Sequence, residues 1–216
     1  MPKKRSPAWE LFMYEFFERS AYLQWHDGIT PEVVLYLKGE ELVEAEDMLI
    51  DSVKKGDMWP TKGLAVMKSK KAIPVLKEMF KKSPLILQIR IADALEAIEG
   101  KGEQIPFLID CLHGKGSGYE RLEVAIALRK YPSEQTIDAL YKGILDENYL
   151  IRYHCAESLL FIHDIKTGIS SLPEIFHFIC SKQDSVSKGE DPKQMHKIAL
   201  KKLKELFKNQ KNDARD

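Results

Sequence analysis

Ala72-Ile73-Pro74-Val75-Leu76, Gln104-Ile105-Pro106-Phe107-Leu108 and Thr136-Ile137-Asp138-Ala139-Leu140 are three versions of one phrase, and a second phrase follows each. The second phrase carries Gln88, Ile91, Ala92, Ala94 and Leu95 in the first copy. It carries Arg121, Val124, Ala125, Ala127 and Leu128 in the next, and Arg152, Cys155, Ala156, Ser158 and Leu159 in the last. Ile73, Ile105 and Ile137 stand 32 residues apart each time, while Leu95, Leu128 and Leu159 stand 33 and 31 apart. A period of this length marks a stacked helical array. Within a copy, Ile73, Leu76, Met79 and Phe80 make one helical stripe and Ile91, Ala92, Leu95 and Ile98 another. Ala92, Ala125 and Ala156 fall where two helix axes about 8–10 Å apart leave no room for a long side chain. One pair of helices cannot cover both stripes, so neighbouring pairs must stack.

The Ala-Ile-Pro-x-Leu phrase and Arg-x-x-Val-Ala-x-Ala-Leu at residues 121–128 resemble the short HEAT repeat family, the version seen in phycobilin-lyase-like repeat proteins. The resemblance implies an all-α, right-handed α-α superhelix of about five helix pairs with capping helices at both termini. It also implies that an Asp in a turn pairs with an Arg six residues later, tying adjacent repeats. Asp146 and Arg152 match that spacing, whereas the equivalent positions hold Lys115 with Arg121 and Lys82 with Gln88. Apolar packing is therefore expected to be the main stabiliser. Such an architecture hosts unrelated functions and is nearly silent on activity.

Basic and acidic residues balance at 33 each, so no global field favours nucleic acid or an anionic membrane. Locally the balance tilts: residues 1–56 carry 7 basic and 11 acidic groups, residues 164–216 carry 11 and 8. Cys111, Cys155 and Cys180 are too few and too scattered for a disulfide framework, which fits a reducing cytoplasm. Glu10, Glu15 and Glu18 interrupt what would be the apolar part of a signal peptide, and no run approaches the length of a membrane span.

Three parts are expected: an aromatic capping helix at 1–28, the repeat solenoid at 29–182, and a basic amphipathic capping helix at 183–216. Ser6-Pro7 opens the first helix, which is expected to run to about Trp25 before Asp27-Gly28 turns the chain. Trp9, Phe12, Met13, Phe16 and Phe17 make its packing stripe, with Leu11, Tyr14, Tyr22 and Trp25 on the other side. That second group is either wedged against repeats or a partner or self-association patch. Gly39 and Gly56 bound an acidic helix, and Asp57 caps the helix holding Trp59 and Pro60. Ser117 and Glu120 read as a capping box after Gly114, Gly116 and Gly118, which lack the spacing of a phosphate loop. Ser181–Glu190 reads as a polar connection, and Asp191-Pro192 caps a final helix with Met195, Ile198, Ala199, Leu203 and Leu206 on one face. Lys193, Lys197, Lys201, Lys204 and Lys208 lie on the other.

No nucleophile, base and acid stand at motif spacing. His177 with Cys180 and His154 beside Cys155 lack the second pair that a metal site needs, so neither metal nor cofactor is expected. Stacking the second helices of successive repeats aligns Met58, Ile89, Leu122 and Tyr153 in one row. Trp59, Arg90, Glu123 and His154 make a second, and Lys62, Asp93, Ile126 and Glu157 a third. Aromatics beside Arg and alternating charges suit a folded protein better than a polyanion. Trp59, Arg90, Glu123, Tyr153 and His154 are thus the candidate residues for a protein partner on a concave face, with an inhibitor, immunity-type or scaffold role. The alternative is a HEAT-like DNA-binding protein or, as an enzyme, a DNA alkylation-repair glycosylase, with Asp93, Arg129 and Trp59 in its groove. Ile89 stands there where that family carries an aromatic, and a basic groove for phosphates is missing.

Overall fold

In this computed structural model the described residues are 4–114, 116–181 and 191–213, and every regular element among them is helical. The elements divide into two compact units, one ending at Gln104 and the other beginning at Ile105. The expected connection within 182–190, and with it the start of the last part at 183, lies outside the described residues, as does Lys115.

In the first unit, α1 (Pro7–Met13) runs into a π-helical turn at Tyr14–Glu18, and α2 spans Ala21–Asp27. The single helix expected as far as Trp25 is therefore broken. Arg19 leaves the helical region at φ −64° and ψ 133°, and the Ser20 side chain starts α2 afresh by accepting the Leu23 N–H. Arg19 secures the break by reaching Glu15 at 3.0 Å and Asp27 at 3.3 Å, while Glu15 also accepts the Thr30 N–H. A 3-10 turn (Pro31–Tyr36) leads to α3 (Gly39–Lys54), then α4 (Pro60–Met67), α5 (Ile73–Phe80) and α6 (Leu85–Glu99). α3 packs on α4, α5 on α6, and α4 on α6, around a core that includes Phe12, Phe16, Leu49, Leu64, Leu76 and Leu95. Gly63 allows the closest approach there, because a Cβ would stand 2.8 Å from the Phe16 ring and 2.9 Å from Leu49.

The second unit holds α7 (Ile105–Leu112), α8 (Gly118–Leu128), α9 (Glu134–Gly143), α10 (Tyr149–Ile162), α11 (Pro173–Cys180) and α12 (Pro192–Asp213). They pack as successive pairs, α7 on α8, α9 on α10 and α11 on α12, with α8 against α10. The pattern is that of a helical-repeat arrangement. Leu128 and Leu159 are fully buried, as Leu95 nearly is in the first unit, and Ala92, Ala125 and Ala156 have no exposed surface. The Ser117–Glu120 capping box forms with both of its hydrogen bonds.

The expected ion pair between Asp146 and Arg152 is replaced by a different bracing. The Asp146 carboxylate takes the guanidinium of Arg121, which also donates to the Leu112 carbonyl at 2.8 Å. Arg152, 1% exposed, donates instead to four main-chain carbonyls: Asp146 and Glu147 on one side, Ile179 and Ser181 on the other. The last two lie at the end of α11, where carbonyls lack intrahelical partners and the helix dipole is negative. Burial lowers the pKa of Arg152, opposed by the neighbouring Cys180 and Asp146.

Candidate functional site

Trp59 and Arg90 belong to the first unit, whereas Glu123, Tyr153 and His154 belong to the second. Trp59 sits at the head of α4, one turn residue after Asp57, whose carboxylate accepts the Trp59 N–H at 3.1 Å. Its indole is buried, which corrects the exposed position expected for it. The edge of Trp25 lies 5.9 Å away, the Arg90 guanidinium 5.6 Å over the ring and the Lys62 ammonium 5.2 Å. Arg90 is buried with it, and so are Met58 and Ile89 of the neighbouring row. The physical reason is that α4 packs on α3, on α6 and on the Pro31–Tyr36 turn, with the edge of Trp25 adding one more contact to the ring. The cation stacked on an indole is thus part of the interior of this unit.

In the second unit the three candidates are half-buried. Tyr153 lies 5.1 Å from the His154 ring and 6.4 Å from Phe176, both edge-on. Burial raises the Tyr153 pKa first, reinforced by the charge of Glu157 and a hydrogen bond to it. Glu157 also accepts the Ile169 N–H at 2.7 Å, holding the chain that enters α11. Burial lowers the His154 pKa, with Arg129 adding to that and Glu157 and Glu123 opposing it. The cluster sets an imidazole beside a phenol and a carboxylate. Cys155, next in sequence, is fully buried on the opposite face, and burial pushes its thiol far above the ordinary range. Its Sγ would stand 2.3 Å from a Cβ on Gly143, so it is packed as a small apolar side chain. His177 is exposed and Cys180 half-buried, and among the described residues no three of His, Cys, Asp and Glu converge as metal ligands. Of the residues cast for base excision, Asp93 lies half-buried on α6 in the first unit, while Arg129 lies in the second, 5.0 Å over Phe161.

The chain matches no family model, no curated protein and no solved structure. Chemistry on the surface is what remains to indicate a role. In the first unit the packing stripe of α1 is covered, with Trp9, Phe12 and Phe16 buried, and the opposite side is open. Leu11 is 53% exposed, Tyr14 46%, Tyr22 71% and Trp25 51%. Leu11 and Tyr14 are three apart along α1 and its π turn, and Tyr22 and Trp25 are three apart along α2, so each pair shares a helix face. Tyr22 stacks on His26 at 5.6 Å. Their place on the helix side opposite the packing stripe marks these four in the sequence, but the π turn at Tyr14–Glu18 was not legible. Nothing in a run of good helix formers announces one extra residue per turn, a feature that often accompanies functional sites.

Proposed function

We propose that this chain is a non-catalytic protein–protein interaction module: a right-handed HEAT-like solenoid with an aromatic cap at 1–28, repeats at 29–182 and a basic cap at 183–216, working in the cytoplasm as an inhibitor, immunity-type protein or scaffold. The observation that carries the reading is the open aromatic face of α1 and α2. Large rings are rarely left in water on a monomer, and tyrosine and tryptophan offer contact area at low entropic cost. The paired helices support the solenoid, and the absence of a described helix long and apolar enough to cross a membrane accords with this setting. Burial of Trp59 and Arg90 moves the emphasis from a groove to the aromatic cap, leaving Glu123, Tyr153 and His154 as the reachable groove positions.

The test is a pull-down from the native host followed by titration of the captured partner. Tyr22→Ala and Trp25→Ala are expected to weaken binding by more than about 1–2 kcal/mol, the hot-spot scale, with Glu123→Ala and Tyr153→Ala near wild type. The reverse pattern would place the interface in the groove. Release of bases from alkylated duplex DNA, lost in Asp93→Asn, would replace the reading with a glycosylase.

A further inference from the structure

We infer that the partner segment received by the aromatic face is a helix rich in lysine or arginine. The inference rests on the protein-binding reading above and adds the chemistry of what is bound.

Charge gives the first argument. Between Pro7 and Leu37 the ionised side chains are Glu10, Glu15, Glu18, Asp27 and Glu32 against the single base Arg19. Arg19 is already committed to Glu15 and Asp27. Glu10 and Glu18 are exposed on α1 and the π turn that present Leu11 and Tyr14, and Glu32 is exposed on the Pro31–Tyr36 turn. Carboxylates around aromatic rings make a surface that repels polyanions and attracts cations, both through charge and through the negative faces of the rings.

The same unit displays this recognition chemistry on itself. Arg5 lies 4.0 Å over the Trp9 ring while its two terminal nitrogens reach Glu44 at 2.7 and 2.8 Å. A partner cation would find a ring beside carboxylates at Tyr14, with Glu10 and Glu18 exposed four residues to either side of it. The shape argument selects a helix. No strand edge is present among the described residues for an extended peptide to join, whereas side chains three apart on α1 and α2 form ridges that a second helix can straddle.

The test uses the full chain and a synthetic 18-residue amphipathic helix of lysine and leucine, compared with its glutamate-for-lysine counterpart by isothermal titration. The lysine helix is expected to bind and the glutamate helix not, with affinity falling as salt rises. Tyr22→Ala and Glu18→Lys should each weaken binding about three- to fivefold, the scale of an exposed cation–π or charge contact. Glu78→Gln, an exposed carboxylate on α5, should leave binding unchanged, and circular dichroism should show all variants folded. Equal binding of both helices would overturn the charge argument while the protein-binding reading stands. Binding insensitive to Tyr22→Ala and Glu18→Lys, or no binding at all, would overturn the inference. So would a dimer in solution that Trp25→Ala dissolves, because the occupant would then be a second copy. The protein-binding reading itself fails if a host lysate yields nothing that depends on Trp25 or on Tyr153, or if the chain releases bases from alkylated DNA.

Discussion

The two units use the same helix pairs but hold them together differently. In the unit ending at Gln104, polar links between elements sit largely at the surface: Arg5 with Glu44, Lys71 with Asp47, and Lys77 and Lys101 with Glu99. Its interior is aromatic, with Trp9, Phe12 and Phe16 in tilted contact at 5.3–5.4 Å. In the unit beginning at Ile105 the polar links go inside. Arg152 braces four carbonyls, Arg121 bridges Leu112 and Asp146, and the Ser158 hydroxyl donates to the Ala125 carbonyl at 2.8 Å where α10 meets α8. Surface ion pairs contribute little and tolerate loss, whereas a buried cation with every partner in place specifies one arrangement of the chain ends around it. Both units leave rings at the surface, Tyr22 and Trp25 in one and Tyr149 and Phe161 in the other, so the contrast lies in the interior: aromatic in the first, braced by buried polar links in the second.

The comparison breaks most visibly at Arg152. Arg152→Met is close in volume but leaves the buried carbonyls of Ile179 and Ser181, and the part-buried ones of Asp146 and Glu147, without their donor, and a loss of roughly 3–5 kcal/mol is expected in chemical denaturation. Arg5→Met in the first unit should barely move the midpoint. Equal effects would mean that the inner bracing is not what distinguishes the units. Next in size, Leu159→Ala and Leu95→Ala should each cost roughly 2–5 kcal/mol, since both leucines are buried at matching repeat positions. A large difference between them would show that repeat stacking is not equivalent in the two units.

The smallest effect is with pH. Five of the six histidines lie after Ile105, and burial lowers the pKa of His113, His154 and His196, the last helped by the charge of Arg152. A lowered folded pKa means that the unfolded chain takes up protons first. The stability these groups contribute is therefore present above the ordinary histidine value of about 6.5 and is lost as pH falls through their lowered folded values. All three tryptophans lie in the first unit. Hydrogen exchange of α10 and α12 should thus loosen on mild acidification while tryptophan emission stays native, and His196→Gln should flatten the change. Simultaneous loosening of both units would show that these histidines are not the source.

Much of the fold was legible because helices and caps are written in short-range pattern. Apolar stripes and Ser-x-x-Glu at a helix start need only neighbours a few residues apart to take effect, and the 32-residue period shows that the same local pattern recurs. The candidate site was less legible. Trp59 and Arg90 occupy row positions that look outward by repeat counting, yet both are buried where α4 packs on α6 and on the Pro31–Tyr36 turn. Glu123, Tyr153 and His154, with ordinary repeat neighbours, are half-buried and closer to expectation.

By itself, then, the sequence determined where most of the helices lie and that Leu95, Leu128, Leu159 and the crossing alanines are inside, but on the last helix it misplaced the buried face, where Ile198 is exposed, Leu206 half-buried, and His196 and Phe207 buried. Only the tertiary structure decided that α1 passes through a π turn and breaks at Arg19, that Trp25 closes over Trp59, and that Asp146 takes Arg121 while Arg152 turns to the carbonyls of α11. The reason is one of range. Periodicity and capping are set by contacts within a few residues, whereas the partner of a long cationic side chain is chosen among groups 25 to 29 positions away. Those groups come within reach only when whole helices have packed.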